Sequence, residues 1–265
     1  MDFPLKKNAR SRLAFSRWWH FPVFLIVFFS VWELGVRSGV VSPLFFPPPT
    51  TIAETLGKLI ADGRLFSNLV VTLRRVVIAL TVGGTAGLLL GLAMGLSWRL
   101  RLIVDPFIAA THNIPKIAVF PIVMLLFGIG ELSKLVLLCV ATFFPMLINS
   151  MVGVRQISRI HFEVARNYGA GIWKLLIRVV LPGSLPSILA GLRIASNAAL
   201  MVTLAIELLA AREGIGVLIW FAWETLRTEE LYAMLFVTAS LGILFNLILQ
   251  LLTHRLVHWQ VEREV

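Results

Sequence analysis

Charge is scarce in this chain of 265 residues: 14% are Asp, Glu, Lys or Arg, where a soluble domain carries about 25%. That is too little polar surface to clothe a soluble globule. Cysteine is all but absent. The single Cys139 makes no intrachain disulfide and has no cysteine partner for a metal site, so it says nothing about compartment. Inside an apolar run it reads as a small packing residue. There is no G-x-x-x-x-G-K-[ST] stretch, so the chain lacks that device for cradling nucleotide phosphates. No His, Cys or Glu pair has zinc-ligand spacing on one helix, and no Ser-His-Asp set stands in the loops. Internal repeats and low-complexity segments are also missing. These absences argue against an enzyme and against a cofactor or metal held by the chain itself.

Acidic residues are few, 14 against 24 Lys and Arg, giving a net charge of +10. A basic balance suggests nucleic acid, but these charges sit between apolar runs instead of on one soluble face. They read as membrane-topology signals, and no nucleic-acid partner is expected.

What the chain has in surplus is apolar sequence. Hydrophobic residues make up 58% and the mean hydropathy is +0.88, delivered in long runs. The expected fold class is all-α, a one-domain polytopic membrane protein whose first partner is the lipid bilayer. Six transmembrane helices are expected, at about residues 21–41, 70–96, 102–127, 132–152, 187–210 and 231–252. The basic start (Lys6, Lys7, Arg10, Arg12, Arg17) resembles a signal peptide, but no small-residue cleavage site closely follows the apolar run. An uncleaved first span is expected, preceded by a segment over 1–20. The stretch 50–63 has helical spacing but is too short and polar to span, so it reads as a surface helix. Gly83, Gly87, Gly91 and Gly95 recur every four residues on span two and predict close helix packing. Pro106, Pro115 and Pro121 on span three free carbonyls that neighbouring groups must satisfy. His112 and Lys116 there read better as part of that repair than as an attractor of anions.

With six spans, both termini, the turn after span two and the loop 155–186 share one side. Fourteen of the 24 Lys and Arg fall there, so that side is expected to be cytoplasmic, with a tail at 259–265. The loop over 211–230, carrying Trp220 and Trp223, then lies outside, its tryptophans reading better as interfacial anchors than as part of an outer gate or receptor contact.

Two patterns point to function. On span five, at 100° per residue, Arg193, Ser196, Leu200, Thr203 and Glu207 share an arc of about 80°, with Asn197 beside it. A polar stripe in a lipid-buried helix faces protein or water. It either lines a pathway or packs on another span. Gly242, Asn246, Gln250 and Thr253 repeat the idea on span six, where helix packing is the better reading.

The second pattern is the basic loop, which carries Glu163, Ala165 and Gly169, then Leu181 and Pro182. Pro182 and Pro186 are expected to end one helix and start the next. Glu163-x-Ala165-x-x-x-Gly169, followed after nine residues by Val179-x-Leu181-Pro182, resembles the Glu-Ala-Ala-x-x-x-Gly and Ile-x-Leu-Pro motif of permease subunits of bacterial ABC importers. Val164 and Val179 depart from it conservatively. Residues 68–75 (NLVVTLRR), 42–49 (SPLFFPPP), 127–131 (FGIGE) and 192–194 (LRI) look like the taurine, sulfonate and nitrate branch, and the likeness covers about residues 20–258.

That resemblance implies a type I importer permease working as a homodimer in the cell inner membrane. It implies two cytosolic ATPase subunits that bind the ATP, and a periplasmic or extracellular substrate-binding protein. The loop helix becomes a coupling peg. Gly169 either permits close backbone approach or ends a helical turn, and Glu163 either caps the helix or pairs with an ATPase arginine. The alternatives are a secondary transporter or channel working without an ATPase, and an intramembrane enzyme.

Overall fold

The computed structural model describes residues 7–257, with side chains from residue 20 onward except residue 21. Helices dominate: α1 (Lys7–Arg37), α2 (Pro49–Ala61), α3 (Arg64–Leu96), α4 (Trp98–His112), α5 (Lys116–Phe127), α6 (Glu131–Arg155), α7 (Arg159–Asn167), α8 (Ile172–Ala210), α9 (Ile215–Glu224) and α10 (Thr228–Leu256). Among the described residues α3, α6, α8 and α10 are each long and apolar enough to cross a membrane, and α4 with α5 makes a fifth crossing if the bent pair counts as one. The sixth expected span therefore rests on α1. Its helix ends at Arg37 rather than 41 and reaches back without interruption into the expected N-terminal segment. The first six residues and the tail 259–265 lie outside the described residues.

α6 is the central helix, gripped between α3 and α8. Small residues set both contacts. A Cβ added at Gly83, Gly87 or Gly91 would overlap the backbone oxygens of Cys139, Phe143 or Leu147 on α6, and one at Gly95 would strike Val154. The four-residue glycine spacing is thus a packing seam, as its sequence reading expects. On the other side Gly191 of α8 lies against Asn149, and Gly153 of α6 against Ser184 and Ser187. A π turn at Leu80–Gly84 interrupts α3, and Thr142 Oγ1 donates 2.7 Å to the carbonyl of Ala79 just before it. Cys139 is half-buried.

The span expected over 102–127, with its three prolines, is bent in two. α4 and α5 meet at 89°. Pro115 lacks an amide hydrogen and disfavours helical backbone at Ile114. Lys116 Nζ then donates to the freed carbonyls of His112 and Ile114, at 2.5 and 2.9 Å. Pro106 stays inside α4, and Pro121 opens the α-helical part of α5.

Contrary to expectation, Pro182 and Pro186 do not separate two helices. α8 runs 39 residues from Ile172 to Ala210 through both of them. A π turn at Leu176–Val180 immediately precedes Leu181-Pro182. Its wider turn relieves the clash between a proline ring and the carbonyl four residues back, so the rod bends its hydrogen bonding without stopping.

The outer parts close the fold. α2 buries Ile52 and Leu59 against α3 and α10. Glu33 of α1 accepts from the amide of Thr50 at 3.1 Å and its hydroxyl at 2.8 Å, capping α2 in place of a local side chain. The region 211–230 is not a plain loop: it contains the apolar helix α9, which buries Ile215, Gly216, Val217 and Ala222.

Candidate functional site

Two constellations stand at opposite ends of α8. The first is α7. The turn after it explains Gly169: its φ is +69°, its amide donates to Arg166 O, and the Ala170 amide donates to Ala165 O, both at 2.9 Å. This pair of bonds, closed by a left-handed residue, is a Schellman stop, which favours glycine. Among the described residues nothing lies within 4 Å of a Cβ added there. Within the chain, then, Gly169 ends the helix rather than making room for a neighbour.

α7 is apolar on two sides. Phe162 and Ala165 turn inward onto a core of Leu92, Met146, Val154, Leu175, Val180 and Ile188, with Leu181 packed on the same cluster. Ile160, Val164 and Tyr168, spaced by four, turn outward and are 66%, 48% and 87% exposed. Glu163 is exposed beside them and makes no hydrogen bond or ion pair among the described residues. It does not cap the helix, because it is the fifth residue of α7 and Ser158 holds the N-cap position. Behind α7, Gln156, Ile157, Ser158, His161, Arg178 and Pro182 line a cleft of about 450 Å³. The five motif residues therefore divide by role. Ala165 and Leu181 anchor α7, Gly169 ends it, Pro182 borders the cleft, and Glu163 is unpaired among the described residues.

The second constellation lies at the far end of α8. Arg75 is 2% exposed and uses three nitrogens. Nη1 donates to Glu207 Oε1 at 2.7 Å and to the Glu213 carbonyl at 2.8 Å, while Nε and Nη2 fork onto Glu131. Glu207 also accepts from Thr72 Oγ1 and from the Gly216 amide at 3.0 Å. Thr72 Oγ1 in turn accepts from the Ile215 amide, and Asn68 Oδ1 from the Gly214 amide. Lys134 Nζ, 3.2 Å from Glu131, makes the set two cations and two carboxylates. The cluster is neutral and almost fully hydrogen-bonded, which is the condition under which buried charge is tolerated. It clamps α3, α6, α8 and α9 together. Glycine is required at Gly214 and Gly216, since a Cβ at either would overlap the Glu207 side chain.

The stripe expected on span five splits. Ser196, Thr203 and Glu207 are buried within the chain, and Arg193 and Asn197 are exposed. Ser196 donates to its own helix at Leu192 O, and Thr203 Oγ1 meets no partner among the described residues. Sequence reasoning missed Arg75, Glu131 and Thr72 as a unit. A charge inside an apolar run marked Arg75, but its partners lie 56 and 132 positions away. Among the described residues no group of three His, Cys, Asp or Glu is placed to hold a metal ion.

Known proteins are similar to this sequence. A family described as "binding-protein-dependent transport system inner membrane component" matches residues 83–260, a range that includes both the α7 motif and Glu207. The taurine transport system permease protein of Escherichia coli (strain K12) is 35% identical, over 90% of this chain and 88% of its own length. A putative aliphatic sulfonates transport permease protein of the same organism is 37% identical over 91% and 90%, and one from Bacillus subtilis (strain 168) is 32% identical over 96% and 91%. With the motif, the apolar helices and these likenesses in agreement, the chain belongs to the family of binding-protein-dependent inner-membrane transport permeases of ABC importers, a family of transporters and not of enzymes.

Proposed function

We propose that this chain is the membrane-spanning subunit of an ATP-binding-cassette importer. Two copies form the translocation pathway, and two cytosolic ATPase subunits drive it between inward-open and outward-open states. A separate binding protein delivers a small anion, sulfonate-like or nitrate-like. The relatives named for taurine and aliphatic sulfonates support the cargo class. α1 supplies the sixth crossing, the bent α4–α5 pair counts as one, and both termini lie in the cytoplasm with α7.

The observation that carries this reading is the outward ridge of Ile160, Val164 and Tyr168 on a helix whose other face is anchored in the core. An apolar ridge at the cytosolic end of a membrane bundle has no lipid to meet, so it fits a protein groove. A push on α7 passes into α8, which continues without a break from Ile172 for about 53 Å at 1.5 Å per residue, to the Glu207 clamp. Nucleotide states that bind the ridge differently shift the bundle between its conformations.

The test is co-purification with the ATPase subunit. Val164→Asp is expected to release the ATPase while leaving thermal unfolding of the permease unchanged. Solute accumulation by the purified chain alone, without nucleotide, would favour a secondary transporter and end this reading.

A further inference from the structure

α8 and α10 run antiparallel, and at one level they touch through polar groups: Asn246 Nδ2 lies 3.5 Å from Asn197 Oδ1. One turn nearer the α7 end on each helix stand Arg193 and Gln250, since the two helices run in opposite directions. Arg193, Asn197 and Gln250 are exposed and Asn246 is half-buried. Arg193 enters no ion pair among the described residues, and the acids on these two helices, Glu207, Glu229 and Glu230, sit near the opposite ends. All four polar residues lie in helices apolar enough to cross a membrane. Arg193 stands six residues inside the expected span boundary at Ser187, about 9 Å along the axis. Two residues before it, Gly191 packs on the middle of α6.

Lipid is a poor neighbour for this patch. A guanidinium and two carboxamides inside the expected spans, with the Gln250 carboxamide near the boundary at 252, face water or protein. We propose that Arg193, Asn197, Asn246 and Gln250 form an anion subsite of the translocation pathway. The guanidinium supplies the charge and a planar pair of donors for two oxygens of an oxyanion. The carboxamides supply further N–H donors. The set carries a net positive charge, so it admits a sulfonate-type headgroup and disfavours a cation. This rests on the permease reading. It moves the pathway side of α8 away from Thr203 and Glu207 and onto the face shared with α10.

The test labels Asn197→Cys, in a Cys139→Ala background, with methanethiosulfonate reagents bearing either a sulfonate or an ammonium group. The reagents are applied to the chain in vesicles with and without ATPase and nucleotide. The sulfonate reagent is expected to react about ten times faster in at least one state, because a fixed cation raises the local anion concentration. Adding Arg193→Gln removes that preference. In the assembled transporter, Arg193→Gln raises the KM for an aliphatic sulfonate at least tenfold and Arg193→Lys restores part of it. Absence of labelling in every state, equal rates for the two reagents, or a wild-type KM in Arg193→Gln overturns the subsite. Failure to assemble with an ATPase overturns the permease reading instead, and the labelling preference is still read on the chain alone.

Discussion

Arg75 and Glu207 meet at 2.7 Å with 2% and 0% of their side chains exposed, across 132 positions of sequence. Their contact fastens α8 to α3 at the end opposite α7. A rod pushed at one end does mechanical work at the other only if that end is tied to something. The clamp ties it through a guanidinium shared between two carboxylates, with Glu131 bringing in α6.

Removing the cation is the sharpest test of the clamp. Arg75→Met leaves the Glu207 carboxyl group buried without its cation, and breaking a buried pair by removing one partner costs about 3–5 kcal/mol. Unfolding of the purified protein should move to clearly lower temperature. Arg75→Met combined with Glu207→Met should recover much of the loss, because Glu131 is 44% exposed and can return to water. Arg75→Met unfolding at the wild-type temperature would show that the cluster holds nothing.

The limits of legibility follow from what sequence encodes. Helices α3, α6, α8 and α10 are readable from hydropathy because each run is long enough to leave no other fold for its backbone. The α4–α5 bend was not, because Pro106, Pro115 and Pro121 look alike in sequence. Only Pro115 has Lys116 placed to take up the carbonyls that a break exposes. Pro182 misleads for the converse reason: the π turn before it is a local adjustment with no residue signature of its own. On α8 the spacing fixes azimuth but not neighbours. Ser196 and Asn197 are adjacent in sequence, yet one is buried and the other open. The motif around α7 is legible down to Gly169, since a helix stop is decided within a few residues.

The glycine seam makes a paired prediction. Gly87→Ala forces a methyl into the Phe143 carbonyl, whereas Gly84→Ala meets only Met146 Cγ at 3.6 Å, an ordinary contact. Overpacking costs about 1–3 kcal/mol, so Gly87→Ala should lower the unfolding temperature and Gly84→Ala should not. Equal effects would mean that α3 and α6 shift apart freely.

Glu33 caps a helix 17 residues away. Glu33→Ala removes the acceptor for the Thr50 amide and for the Arg37 side chain, 2.6 Å distant. Loss of such a cap costs about 1 kcal/mol. The expected readout is faster amide exchange confined to the first turn of α2, with α3 and α6 unaffected. Unchanged exchange there would mean that Pro49 alone starts the helix.

Gly169 offers two explanations that an ordered series of side chains separates. Its φ of +69° favours glycine, then asparagine, then alanine, with β-branched residues worst. Space among the described residues imposes no order, since none of them lies within 4 Å of an added Cβ. If backbone conformation governs, Gly169→Asn should bind the ATPase better than Gly169→Ala, and Gly169→Val should bind worst. Each step loosens the turn that holds Ala165 on the core and the Ile160–Val164–Tyr168 ridge in place. If an approaching ATPase surface governs, size decides, and alanine must outperform asparagine. Measuring ATPase retention on the three variants therefore reads the cause from the order alone. An asparagine variant weaker than alanine would move the reason for this glycine from the helix end to the partner that docks on it.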